Sequence, residues 1–353
     1  MARKSPVASQ DITIFDVARE ANVSYSTVSR VINNKGVSAD KRERVLRAMA
    51  ELGYVANLQA RSLAGGKSNI IGLLVHSLTV EYFGEIARGV DEALAAVQYD
   101  LMLYTTHRRK GRESAYVTKL TRNIVDGLLL VLPRNAEAYL ETLRQRRFPH
   151  VLVDHQGVSF DVPSVGATNW QGGYDGTRYL IELGHRRIGF ITGDMALGCA
   201  RDRLAGYQQA LSDAGLPADP TLIREGNFFQ PQGFICANEL LDLAHPPTAI
   251  FASNDVSAFG AMEAVRNRGL RIPEDVSVLG FDDTPQAAQV HPTLTSVRQP
   301  LAEMGKTAVE LLFTYINEPD APVKRIELPT ELIIRQSCQV PSLSSLTLFD
   351  PSR

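Results

Sequence analysis

Apolar residues follow two different rhythms along the chain. Over the first fifty residues they recur at three- and four-residue intervals, the period of a helix with one buried face. Ile14, Val17, Ala18 and Ala21 mark the first face, Val28, Val31 and Ile32 the second, and Val45, Leu46, Met49 and Leu52 the third. Thr13, Ser24 and Ser38 precede these runs and are good N-caps. Asn22-Val23 divides the first from the second, Asn33-Asn34-Lys35-Gly36 ends the second, and Gly53 stops the third. Asn and Gly accept the left-handed backbone that tight turns and helix ends require. Two short helices joined by a tight turn and braced by a third make a helix-turn-helix unit.

From Asn69 onward short apolar runs alternate with helical patterns. Strands are predicted at 70–75, 99–104, 127–132, 150–154, 187–192, 248–251 and 276–280, and helices at 82–97, 113–123, 136–145, 172–183 and 201–214. Such alternation predicts parallel sheets covered on both faces, and two successive blocks predict two lobes. In such folds ligands sit at the carboxyl ends of the strands.

The polar residues of the head say what it does. Tyr25, Ser26, Ser29, Arg30 and Asn33 share one side of the second helix by their spacing. A plain solvated face would carry Lys and Glu, and this one has neither. Arg30 can fork onto guanine in a major groove. Ser24, Thr27, Ser29 and Asn33 are short polar groups suited to phosphate oxygens, which set register without reading sequence. Charge agrees. Residues 1–64 hold ten Lys/Arg against six Asp/Glu, a surplus of four, while the chain as a whole carries −2. A basic head on an acidic body points to a polyanion partner for the head alone.

Between head and body, Asn57 caps one or two helical turns ending at Ala64, ahead of the flexible Gly65-Gly66 pair. A helix this short is marginal in water and can order on binding. Leu63 reads either as an apolar wedge for a minor-groove base step or as a residue packed in a domain interface. Gly65-Gly66-Lys67-Ser68 is no phosphate loop: Arg61 stands where the first glycine is needed, and a helix rather than a strand precedes it.

At these residues the chain resembles the LacI/GalR family of bacterial transcription regulators. The motif is Ile14-Phe-Asp-Val-Ala-Arg-Glu-Ala-Asn-Val-Ser-Tyr-Ser-Thr-Val-Ser-Arg-Val-Ile-Asn33, then Val45-Leu46, Glu51-Leu-Gly-Tyr54 and the hinge Asn57-x-x-Ala60-Arg-Ser-Leu63. The resemblance runs to about residue 340. It implies that Tyr25, Ser26 and Arg30 read bases and that Thr13, Ser24, Thr27, Ser29 and Asn33 hold the DNA backbone. It implies that Asn57, Ala60 and Leu63 form the minor-groove hinge. The implied fold class is an all-α helix-turn-helix domain plus an α/β two-lobed periplasmic-binding-protein-like effector domain, with two parallel-sheet lobes and three crossovers. The domains are then 1–56, the hinge 57–68, and the effector and dimerisation domain 69–340. Its N-lobe is 69–166 with 298–328, its C-lobe 167–297 with 329–340, and a tail of 341–353 follows. The crossings fall near Gly166–Asn169, Ser296–Val297 and Leu328–Pro329.

The resemblance places the ligand between the lobes, and the residues at strand ends line up with that cleft: Tyr82, Phe83, Asp154, Arg203, Phe228, Asn254 and Asp282. Aromatic faces stack on sugar rings or flat bases, and Arg with Asp makes bidentate bonds to vicinal hydroxyls or carboxylates. Arg203 and Asp282 are implied as the central pair, Asp154 and Asn254 as secondary contacts. Asp283 reads as a site residue or as one bonding within its own loop, His155 as a loop residue, Asp255 as a helix-holding residue, and Cys199 as a small buried filler. Val80 stands where the family commonly carries an Asn that touches ligand, which makes the pocket more apolar.

The expected effector is a small molecule, a sugar or sugar derivative, with no cofactor and no metal. The partners expected are double-stranded operator DNA and a second copy of the chain. Three widely spaced cysteines and no leader-like run suggest a cytoplasmic protein, and no stretch of about 18 apolar residues is present to span a membrane. The tail, with its two prolines, predicts a dimer without a C-terminal helical assembly segment. No hydrolase, zinc or dithiol motif supports an enzyme. A transport receptor would fit the body but not the head.

Overall fold

The computed structural model describes residues 12–32, 36–54, 67–78, 80–106, 109, 111–122, 124–134, 136–155 and 161–341. They form two compact units, taken in turn.

In the first unit three helices, α1 (Ile14–Glu20), α2 (Tyr25–Ile32) and α3 (Ala39–Leu52), close on the apolar faces read above. Val17, Ala18, Ala21, Val28, Val31, Val45 and Ala48 are its buried core. Gly53 ends α3 in the left-handed conformation, at φ 64°. Leu46, expected inside, is exposed instead. It lies one position off the stripe formed by Val45, Ala48 and Met49.

The second unit has two six-stranded sheets. The first comprises β1 (Ile70–Val75), β2 (Asp100–Thr105), β3 (Gly127–Val131), β4 (His150–Val153), β5 (Ser164–Ala167) and β11 (Arg325–Leu328), in the order β11-β5-β4-β3-β1-β2. The second comprises β6 (Ile188–Ile191), β7 (Ile223–Arg224), β8 (Ala249–Ala252), β9 (Ser277–Asp282), β10 (Thr295–Arg298) and β12 (Glu331–Ile333), in the order β12-β10-β9-β8-β6-β7. The β1–β3, β3–β4, β4–β5 and β5–β11 pairs are parallel, as are β6–β7, β6–β8, β8–β9 and β9–β10. β12 departs from the expected parallel pattern and runs antiparallel to β10. The chain enters β12 from the third crossing at the end where β10 leaves, Glu331 pairing with Arg298, and so runs the opposite way.

Helices cover the sheets. On the first lie α4 (Glu81–Ala96) and α11 (Leu301–Asn317), their Ile86, Val90, Met304 and Leu312 packed with Ile71, Leu73 and Val151. α5 (Arg112–Leu120) and α6 (Glu137–Gln145) complete that lobe. The second sheet alternates its side chains. Ile250 and Ala252 join α9 (Gln230–Leu241) and α10 (Asp255–Asn267), while Ala249 and Phe251 join α7 (Asn169–Glu182) and α8 (Gly198–Asp213). Both α7 and α8 begin three residues earlier than the apolar rhythm indicated, so Cys199 lies in a helical turn rather than a loop. α7 opens on polar Asn169 and α8 on Gly198, and neither first turn carries a periodic apolar signal.

The lobes join through three segments. The first and third are laced together: Thr168 N donates to Leu328 O at 3.0 Å, and Thr330 N donates to the Thr168 hydroxyl at 3.0 Å. The second leaves after Arg298, because β10 continues through Ser296–Val297.

Glycines set how closely the covering helices approach. A Cβ on Gly173 would strike the Arg203 carbonyl, and one on Gly206 the Trp170 carbonyl. α7 and α8 therefore cross with backbone against backbone, which brings Asn169 and Arg203 together. Gly89 with Gly305, and Gly233 with Gly260, do the same for α4–α11 and α9–α10. Gly206→Ala is expected to lower the unfolding free energy by ~1–3 kcal/mol, the usual cost of overpacking. Chemical denaturation of the variant beside the parent chain measures it.

Candidate functional site

Two regions carry functional side chains. In the head, α2 buries Val28 and Val31 and leaves Tyr25, Ser26 and Arg30 exposed, with Thr27 and Ser29 half-buried. The Ser24 hydroxyl caps this helix by accepting from Thr27 N at 3.2 Å, and it lies 2.8 Å from the Ser26 hydroxyl and 2.9 Å from that of Thr27. Hydroxyls and free amides at a helix start are a ready anion site. Thr13 heads α1, where its amide and hydroxyl donate to Asp16 Oδ2 at 3.0 and 2.7 Å. Asn33, Asn57, Ala60 and Leu63 lie outside the described residues.

Sequence reasoning missed Phe15. It is 64 % exposed, yet it stacks on Tyr25 with ring centroids 5.5 Å apart and planes inclined by 26°. An exposed phenylalanine on the first helix was the available signal. The stack fixes the tyrosine ring on the face presented by α2.

In the body, all seven residues read as effector contacts line one cavity of about 50 Å³ between the lobes. His76, Val80, Leu132, Arg134, Leu197 and Cys199 complete its wall. At its centre Arg203, 2 % exposed, donates Nε to Asn169 Oδ1 at 2.7 Å and Nη1 to the Ser253 carbonyl at 2.5 Å. The same Nη1 is 3.6 Å from Asp282 Oδ1, and the guanidinium lies 3.8 Å above the Phe281 ring. Gln299 Nε2 donates to Asp282 Oδ1 at 2.8 Å. Asp154 accepts from the Tyr82 hydroxyl at 2.7 Å and from Asn169 Nδ2 at 3.2 Å. One polar chain thus runs from Tyr82 through Asp154, Asn169 and Arg203 to Asp282 and Gln299.

Strand ends aim these groups. Asp154 and Asp282 sit at φ 54° and 109°, where β4 and β9 finish and the backbone turns. Phe228 is likewise at φ 69°, and its carbonyl accepts from Asn254 Nδ2 at 3.2 Å. Asn254 Oδ1 caps α10 by accepting from Ser257 N at 2.9 Å. Asp283 belongs to a separate structural knot, paired with Arg298 at 2.8 Å and Arg335 at 2.5 Å. Asp255 accepts from Thr284 N at 2.7 Å and the Ser296 hydroxyl at 2.6 Å, tying α10 to β10. His155 follows β4 outside the cavity wall, and burial lowers its pKa.

Asn169, Gln299 and Arg134 are further residues that sequence reasoning missed. The first two are polar residues within or beside the lobe crossings, and Arg134 follows β3 at the cavity end. No group of three or more His, Cys, Asp and Glu able to hold a metal occurs among the described residues. Burial pushes the Asp282 carboxyl up to about 7, against the opposing pull of Arg203 and Gln299. Burial and then the Asp154 charge raise the Tyr82 hydroxyl well above its usual range. Burial also raises the Cys199 thiol, so the group faces the cavity as a neutral thiol.

Matches to known families cover both regions. Residues 13–57 match the model of bacterial regulatory proteins of the lacI family, and residues 177–338 match that of the periplasmic binding protein-like domain. Catabolite control protein A of Priestia megaterium is 33 % identical over 330 residues, 93 % of this chain and 99 % of that protein. The chain belongs to the LacI family. Among solved structures of the family, the lac repressor dimer bound to operator and the anti-inducer ONPF superposes with a TM-score of 0.82. It is 31 % identical and spans 94 % of this chain and 100 % of its own. The complex of the regulator CelR with cellobiose gives 0.72 at 34 % identity, covering 92 % and 99 %.

Two outcomes are expected. Phe15→Ala should weaken binding to an operator selected from random DNA by roughly two- to tenfold, the worth of one aromatic pair. The loss should vanish in a Tyr25→Ala background, since the two act as a unit. Paired fluorescence-anisotropy titrations of the four proteins test this. The raised Asp282 pKa means the folded state holds a proton that the unfolded state releases at lower pH. That contribution to stability is complete below about pH 4 and is lost as pH rises through about 7. The melting temperature of the parent chain minus that of Asp282→Asn should therefore fall as pH is raised through this window. A difference independent of pH would show that Asp282 stays charged.

Proposed function

We propose that this chain is a cytoplasmic transcription regulator that binds a roughly palindromic operator as a dimer and releases or tightens its grip when a small carbohydrate enters the interlobe cleft. The observation that carries the reading is the buried chain Tyr82–Asp154–Asn169–Arg203–Asp282, walled by Phe83 and Phe228, in a protein whose head exposes Tyr25, Ser26 and Arg30 on one helix.

Each part has a physical role. Arg30 forks onto a guanine edge, Tyr25 and Ser26 read neighbouring bases, and the hydroxyls of Thr13, Ser24, Thr27 and Ser29 hold phosphates. Asn33 adds a further backbone contact, and Asn57, Ala60 and Leu63 form the hinge that enters the minor groove. Two heads in a dimer match two half-sites. In the cleft, carboxylates accept from sugar hydroxyls, Arg203 and Asn254 donate, and the rings cover apolar C–H faces. Both cleft arginines already face carboxylates, Arg203 with Asp282 and Arg134 with Asp194. Among the described cavity residues both arginines are thus already matched by carboxylates, which favours a neutral sugar over a phosphorylated one. The reading assigns the protein no catalysis and no cofactor. Support comes also from the relatives, which are transcriptional regulators, and from the cellobiose complex within the family.

Coupling between two such sites is typically 1–3 kcal/mol, or roughly 5–150-fold in affinity. Thermal-shift screening against ribose, glucose, cellobiose and a sugar phosphate, followed by gel shifts with the active compound, tests the proposal. A neutral sugar should raise the melting temperature and change operator affinity within that range. Arg203→Ala should keep operator binding and lose the response. Stabilisation by the sugar phosphate alone, or a full response in Arg203→Ala, would overturn the assignment.

A further inference from the structure

The two lobes touch across the cleft at polar links that belong to neither the hinge nor the ligand-facing chain. Arg134, just past β3 in the first lobe, reaches Asp194, just past β6 in the second, with Nη2 and Oδ2 2.9 Å apart. Glu81, beginning α4 in the first lobe, accepts from the backbone amide of Gln286 in the second at 3.1 Å. Both partners of the ion pair are held from behind. Arg134 N donates to the buried Glu113 carboxylate at 3.3 Å, which also takes the Tyr139 hydroxyl. Asp194 Oδ1 accepts from Ala196 N at 3.1 Å.

We propose that Arg134–Asp194 and Glu81–Gln286 are clasps that set how often the cleft opens, with Arg134 and Glu81 as positioning residues for the effector response. This rests on reading the cleft as a small-molecule site. The cavity between the clasped lobes is about 50 Å³, room for roughly three to five waters. A sugar ring with its hydroxyls is larger, so seating one widens the cleft and strains the clasps.

The strength of the clasps suits that use. Arg134 and Asp194 are 32 % and 25 % exposed. A part-exposed pair of this kind is weak and is screened by salt. It biases the opening equilibrium by a few-fold and does not lock it. A fully buried pair in the same place would hold the cleft shut.

Cys199 supplies the reporter. It lines the cavity and is 1 % exposed, whereas Cys236 and Cys338 are buried within the second lobe away from the cavity wall. Alkylation of Cys199 by N-ethylmaleimide therefore requires the lobes to part, and the other two thiols act as internal controls. Full-length protein without any added sugar is labelled over time, and each cysteine is followed by peptide mass spectrometry. Because the readout is opening itself, it stands apart from whether the cleft binds carbohydrate.

Arg134→Asp is expected to raise the Cys199 rate by roughly two- to fivefold, the size of one part-exposed ion pair. Glu81→Ala should act in the same direction. The exchanged pair Arg134→Asp with Asp194→Arg should return the rate to that of the parent chain. Salt at about 0.5 M should accelerate the parent chain but leave Arg134→Gln unchanged, since only the former has a pair to screen. Cys236 and Cys338 should keep their rates throughout. An unchanged Cys199 rate in both Arg134→Asp and Arg134→Gln would overturn the proposal. So would failure of the exchanged pair to restore the rate, or equal acceleration of all three cysteines, which reports unfolding.

Discussion

Arg203 places a guanidinium at a position 2 % exposed to solvent. A guanidinium taken out of water must find its compensation inside the protein. The partners come from three elements at once: Asn169 from α7, the Ser253 carbonyl after β8, and from β9 both Asp282 at its end and the Phe281 ring beneath. None can move far without leaving the charge exposed to an apolar surrounding. The arrangement of the second lobe around the cleft follows from that requirement.

The charge also reaches the first lobe. Asn169 accepts from Arg203 through its carbonyl and donates to Asp154 through its amide. A carboxylate at this position would pair with Arg203 but could not donate to Asp154. The neutral amide is the side chain that satisfies both neighbours. Asn169 also lies directly after the first crossing, and Gln299, which holds Asp282, lies directly after β10 at the second. Residues that position the cavity are thus the residues about which the lobes turn. In the proposed reading, a ligand that alters the bonds of Asp154 or Asp282 would act on these lobe crossings without an intervening pathway.

Much of this was legible in the sequence because helices and strands bury residues at different periods. The three head helices, the strand Ile70–Val75 and the alternating body came from that contrast alone. The seven cavity residues came from a rule about strand ends combined with a family resemblance, and all seven line one cavity. Periodicity marks which residues face inward within an element, but not which element of another lobe they meet. Asn169 and Arg134 escaped for that reason, since their partners lie in distant parts of the chain. Asp283 shows what adjacency in sequence leaves open. It sits beside Asp282 in sequence, but the turn at the end of β9 sends it to Arg298 and Arg335.

The glycine crossings explain why the two kinds of polar contact behave differently. Backbone packed against backbone at Gly173 and Gly206 holds α7 close against α8, so Asn169 and Arg203 keep their places together in the second lobe. Gly89 and Gly305 fix α4 against α11 in the first lobe in the same way. Between two stiff bodies, the compliant contacts are those made by long, part-exposed side chains such as Arg134 and Glu81. Buried charge then decides the shape of each half of the cleft. Weak surface charge decides how readily the halves separate, and the two can be tuned independently.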